Sequence, residues 1–173
     1  MRLINILLVT LLLPGVLMAS KWQVKTPTHV PDVELMTLKN EPTNLIDYGK
    51  RHMMVFYIDP DARGQNKVFQ EEMRNEKRPY TPNIAGYTVL NLADTKLPGG
   101  MVRMLARIAT KGTETVNLVD MDHTLRDAWN LGEVDNQFVV MFVTKEGELV
   151  YYHAGELSRE DMDAFYAVID KYK

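Results

Sequence analysis

Phe138-Val139-Val140-Met141-Phe142-Val143 carries no polar side chain at all. A strand that shows one face to water alternates apolar and polar residues. An unbroken apolar run instead fits a strand covered on both faces, as in parallel or mixed sheets with helices above and below. Met53 to Ile58 is a second such run. It is led in by His52 and stopped at Asp59-Pro60-Asp61, where proline cannot donate to a ladder. Tyr87 to Leu92 and Val116 to Val119 read as two further buried strands. Val33, Leu35 and Leu38 form a short strand-like segment before the turn Lys39-Asn40-Glu41-Pro42.

Helical spacing fills the gaps between these runs. From Gln65 to Lys77 the apolar residues are Val68, Phe69 and Met73, all expected on one face. Pro98-Gly99-Gly100 opens Met101 to Ala109, with Val102, Leu105, Ile108 and Ala109 on one stripe and Gly112 as the stop. Asp122 is the expected N-cap of a helix from Leu125 to Leu131. Lys145-Glu146-Gly147-Glu148 makes a hairpin turn, and Leu149 to Tyr152 returns as an antiparallel edge. Ser158 with Asp161 three residues on has the spacing of a capping box. The helix that follows, to Tyr172, turns Met162, Phe165, Ile169 and Tyr172 inward. Strands alternating with helices imply parallel pairing and right-handed crossovers, hence one α/β domain of three layers.

Residues 1–20 stand apart. Arg2 precedes an apolar run from Leu3 to Leu13, and Pro14-Gly15 and then Ala19-Ser20 follow. This is the pattern of a secretory signal, too short for a span of about 20 residues. Cleavage is expected after Ala19 or Ser20. That leaves residues 21–173 as a single exported domain without a stable membrane anchor. The full chain has 20 basic and 23 acidic residues and a net charge of −3, so there is no basic surplus for nucleic acid. It has no cysteine. That excludes disulfides, thiolate metal sites and thiol chemistry, and stability has to come from packing alone.

The order of elements resembles the thioredoxin fold. Val30-Pro31-Asp32-Val33-Glu34-Leu35, followed by Gly49-Lys50 and the first long apolar strand, is similar to the opening of the thiol-peroxidase and membrane-tethered thioredoxin families. Leu118-Val119-Asp120 through Trp129-Asn130-Leu131 resembles their strand, aspartate turn and short helix. Phe142 to Val150 resembles their closing hairpin. Within that superfamily, the Asn91-to-Gly100 stretch, Asp127 to Leu131 and the tail from Phe138 resemble the YtfJ family of periplasmic proteins. The resemblance implies a thioredoxin-like three-layer sandwich, a mixed central sheet with helices on both faces, and a periplasmic location. The chain departs from the superfamily at the redox site. Where those families place a nucleophilic cysteine, at the start of the helix after the first long strand, this chain reads Asp59 to Lys67. The position of their cis-proline falls near Phe138.

This degenerate site is the candidate binding surface: Asp59, Asp61, Arg63, Asn66 and Phe138, with no catalytic residue assigned and no cofactor or metal expected. The expected partner is another periplasmic protein or a peptide. An alternative use of the same edge is carboxylate or metal-dependent chemistry, if the Asp59–Asp61 turn converges with the second acidic turn, Asp120, Asp122 and His123. His29, His52, His123 and His153 show no paired metal-ligand spacing, and there is no nucleophile elbow around a serine.

Overall fold

The structure is a computed structural model describing residues 28–75, 81–109 and 115–173. Eight strands form one mixed sheet: β1 Thr28–His29, β2 Glu34–Thr37, β3 Pro42–Asn44, β4 His52–Ile58, β5 Ile84–Asn91, β6 Val116–Asp120, β7 Phe138–Val143 and β8 Glu148–Ala154. The helices are α1 Lys67–Asn75, α2 Gly99–Ala109, α3 Thr124–Ala128 and α4 Arg159–Tyr172. The spatial order is β1-β8-β7-β4-β5-β6-β2-β3.

The four long apolar runs sit together at the centre of this order. β4, β5 and β6 pair in parallel, as strands joined by helices must, and β7 lies antiparallel on the other side of β4. All six residues of β7 are buried, which is why its sequence does not alternate. The β7–β8 hairpin is therefore not the edge that the sequence suggested, because β7 is interior and β1 pairs with β8 outside it. Two strands, β1 and β3, carry no hydrophobic signal. β1 is two exposed residues, and β3 begins at Pro42 and is mostly exposed.

Successive side chains of β4 enter opposite cores. Met53, Val55 and Tyr57 join Leu45, Leu125 and Trp129 on one face, while Met54 joins Phe69, Phe165 and Ile169 on the other. Helices thus cover both faces, the three-layer arrangement expected from the sequence. α4 starts on the full capping box, with Ser158 Oγ accepting from Asp161 N at 3.2 Å and Asp161 Oδ2 accepting from Ser158 N at 2.8 Å. Gly147 turns the β7–β8 hairpin at φ +79°. A Cβ there would lie 2.6 Å from the Tyr48 hydroxyl, so only glycine fits.

Two helices depart from their expected faces. In α1, Phe69 and Met73 are buried but Val68 is exposed, because adjacent helical residues diverge by about 100°. In α2, of Val102, Leu105 and Ile108 only Val102 is buried. Leu105 is 45% and Ile108 66% exposed, with Met101 and Met104 exposed beside them. Arg103 and Arg107 fasten one side of α2 to the β2–β3 turn through Asn40 Oδ1 and the Leu38 carbonyl. Gly112, the expected stop, lies outside the described residues, as do residues 1–20, so neither the stop nor the signal segment is described.

His52, at the start of β4, accepts from Lys145 N through Nδ1 at 3.1 Å and lies against Tyr172, with ring centroids 4.8 Å apart. Burial holds its imidazole below the ordinary value, against the nearby Glu146, which works to raise it. The unfolded chain therefore takes up this proton first, so stability is retained above about pH 6.5 and falls as pH drops below it. In chemical denaturation at pH 7 and pH 5, His52→Gln is expected to lose less stability between the two than the parent protein. An unchanged difference would overturn this.

Candidate functional site

β4 ends by delivering Asp59 into a sealed position. Asp59 is 0% exposed. Its Oδ1 accepts from Asp61 N at 2.8 Å, which caps the single 3-10 turn Pro60–Ala62, and its Oδ2 accepts from Asn136 N at 2.8 Å. Burial pushes this carboxyl above its usual range, and the two backbone donors work the other way. With both oxygens committed, Asp59 is an internal strut between β4 and the segment entering β7.

Asn66 closes the same loop from its other end. It sits at φ +57°, a conformation asparagine tolerates, and it donates to Gly155 O at 2.8 Å and accepts from Leu157 N at 2.7 Å. Gln65 brackets the entry to β7, donating to Asn136 O at 3.1 Å and accepting from Phe138 N at 3.0 Å. Asp61 is exposed and accepts from Lys96 N at 3.1 Å. Arg63 is exposed, and its Nη1 donates to Pro60 O at 2.9 Å. The structure therefore brings the 59–66 loop and Phe138 together, with Asp59 and Asn66 as framework and Arg63 and Asp61 facing outward. Gln65 escaped sequence reading because a lone glutamine in a polar loop has no periodicity to mark it. Gln65→Ala leaves two backbone groups without their partner. It is expected to cost about 1–2 kcal/mol and to speed hydrogen exchange at Phe138, with equal exchange counting against the bracket.

The second acidic turn is a separate construction. Asp120 is 0% exposed. It accepts from Thr124 N at 2.8 Å, from Leu125 N at 3.0 Å and from the Tyr57 hydroxyl at 3.2 Å. It, and not Asp122, satisfies the start of α3. Asp122 accepts only from the Thr124 hydroxyl, and the cap position itself is His123 at φ +67° with no side-chain cap bond. The reason is reach: Asp120 ends a buried strand aimed at the helix start, whereas Asp122 is exposed. His123 Nε2 lies 2.8 Å from Asp94 Oδ1, and Asn91 donates to Asp94 Oδ2 at 2.7 Å. These two hydrogen bonds hold the Asp94 carboxyl below its ordinary value, although partial burial works to raise it. Asp61 and His123 both bond to the 94–96 segment, at Lys96 N and Asp94 Oδ1. Among the described residues, no three histidine or acidic side chains are grouped as a metal ion requires.

The 59–66 loop and Phe138 form one end of an open cleft of about 310 Å³ between α1, α2 and the sheet. Its floor is Phe56, Ile58, Thr88 and Leu90; Phe69 and Met73 form one wall, and Val102 and Leu105 the other. Arg63 stands at one end of α1 and Arg74 at the other, and both line the cleft. The incomplete burial of the α2 stripe is the other side of this feature, since α2 stands off the sheet instead of closing on it.

No protein-family model matches the chain, and no curated protein matches it significantly in sequence. Solved structures do. The exposed lipoprotein thioredoxin of Streptococcus pneumoniae is 17% identical over 82% of this chain and 99% of its own, with a TM-score of 0.58. A thiol peroxidase from Chromobacterium violaceum is 10% identical over 84% of this chain and 85% of its own, with a TM-score of 0.60. The thioredoxin domain of a thiol-disulfide oxidoreductase from Bacteroides vulgatus is 14% identical over 84% of this chain and 96% of its own, with a TM-score of 0.52. The chain thus has a thioredoxin-like fold, as its element order implied. Among the described residues no helix is long and apolar enough to cross a membrane, and no peptide bond is cis.

Proposed function

We propose that the protein is an exported binding or accessory protein in which the thioredoxin fold is kept and its thiol chemistry is gone. The observation that carries this reading is the loop after β4. It holds no cysteine, yet it is braced to the start of β7 and to the turn before α4 through Asp59, Gln65 and Asn66. Such bracing pre-organises a surface, and pre-organisation reduces the ordering cost of binding. The partner surface is Asp61 and Arg63 at the rim of the cleft, with Phe138 buried behind them, and the partner is a second exported protein or a peptide.

The likeness to exposed and thiol-handling proteins of the same fold supports an extracytoplasmic setting, as does the signal-like pattern of residues 1–20. The resemblance to the YtfJ family supports the periplasm in particular. On this reading exported protein begins at Ser20 or Lys21, and amino-terminal sequencing that found Met1 would oppose it.

A photo-reactive side chain at Gly64, where an added Cβ meets nothing within 4 Å, tests the surface without touching its anchors. The expected result is a discrete light-dependent adduct in the exported fraction, suppressed by an excess of the unlabelled protein. No adduct, or one that the excess leaves intact, overturns the reading.

A further inference from the structure

We infer that the cleft between α1 and α2 is a binding site for a small amphiphilic carboxylate, with its anionic end on Arg63 and its aliphatic body beneath α2. The inference rests on the binding role proposed above and names a ligand class for the same site. Volume is the first argument. At about 310 Å³ the cleft enters the ~300–1,000 Å³ range of small-molecule sites and is about twice the ~150 Å³ apolar cavity that takes benzene. Its floor and walls are mainly aliphatic and aromatic, with Thr88 and Gln70 among the few polar side chains, so the body of the ligand has to be mainly apolar.

Charge fixes the other end. Arg63 and Arg74 form no ion pair with any described residue, although both line a mainly apolar cleft. A guanidinium in such a place favours an anion, and its planar fork matches a carboxylate. Arg63 is the better anchor, because its bond to Pro60 O already holds it at the mouth and leaves further N–H groups to donate. Among the described residues no side-chain hydrogen bond orients Arg74 in this way.

Calorimetric titration of the purified protein with decanoate, decanol and acetate tests the class. Decanoate is expected to bind saturably at one site. Decanol should bind at least tenfold more weakly for want of the charge, and acetate should not bind for want of the body. Arg63→Ala should weaken decanoate about tenfold, the loss of one charge-assisted contact, and Arg74→Ala less than twofold. Thr88→Phe fills the floor and should abolish binding while the unliganded protein keeps its melting temperature.

Decanol binding as tightly as decanoate overturns the proposal. So does Arg63→Ala without effect, or saturable binding that survives Thr88→Phe. Failure of decanoate to bind, with a dimer in sedimentation that Ile108→Glu disperses, assigns the apolar face to a second copy of the chain and also overturns it. The Gly64 adduct is read independently. An adduct without decanoate binding removes the carboxylate ligand and leaves the partner role standing, whereas absence of both removes the binding role itself.

Discussion

Phe165→Ala is expected to lower stability by about 3–5 kcal/mol, the range for deleting a large buried aromatic side chain. Phe165 is fully buried, and its ring centroid lies 5.0 Å from Tyr151, 5.6 Å from Phe69, 6.4 Å from Phe56 and 6.5 Å from Tyr166. It joins α4, α1 and two strands, β4 and β8, so its loss opens a cavity that no single neighbour can fill. A domain of this size holds roughly 5–15 kcal/mol in total, and without cysteine this chain has no cross-link to limit its unfolded state. Thermal unfolding should show a fall on the order of 10 °C, since about 1 kcal/mol moves the midpoint by about 2–4 °C at this length. Phe165→Leu should recover much of it. A shift below about 3 °C for the alanine variant would sink the claim that this ring organises the α4 face.

Asp120→Ala is expected to be as damaging for a different reason. The carboxylate receives two backbone N–H groups at the start of α3 and the buried Tyr57 hydroxyl. Removing it strands these donors at about 1–3 kcal/mol for each buried one, so about 3–5 kcal/mol is expected in all. Asp120→Asn keeps one acceptor oxygen and should lose about half as much. Asp122→Ala breaks only the bond from the Thr124 hydroxyl and should stay within about 1 kcal/mol. The three variants measured in urea separate a capping strut from a surface turn, and equal losses at positions 120 and 122 would contradict the assignment.

The contrast between these two aspartates shows what the sequence carries. The central sheet was legible because burial on both faces leaves a composition signature: the run Phe138–Val143 coincides with β7. The α4 cap was legible because Ser158 and Asp161 act at fixed local spacing. Asp120 and Asp122 are indistinguishable by residue type, and only the direction of β6 decides which one reaches α3. Likewise, the stripe Val102-Leu105-Ile108 shows that α2 has an apolar face but says nothing of whether the sheet covers it. At the candidate site the position was legible, since the loop after the first long strand is fixed by element order. The roles were not, because Asp59 and Asn66 act through backbone groups of residues 77 to 91 positions away in the chain.

The place of β7 has a consequence for how the chain reaches this state. β4 has β5 on one side, joined by a local crossover, and β7 on the other, far downstream, with Val55 paired to Met141. A chain emerging amino end first therefore presents β4 with one ladder edge open until β7 arrives, and the contact that closes the sheet is among the most remote in the sequence. Such distant pairing slows folding, and an open apolar edge invites association with other chains. Any truncation before Val143 should consequently aggregate and not fold to a smaller domain.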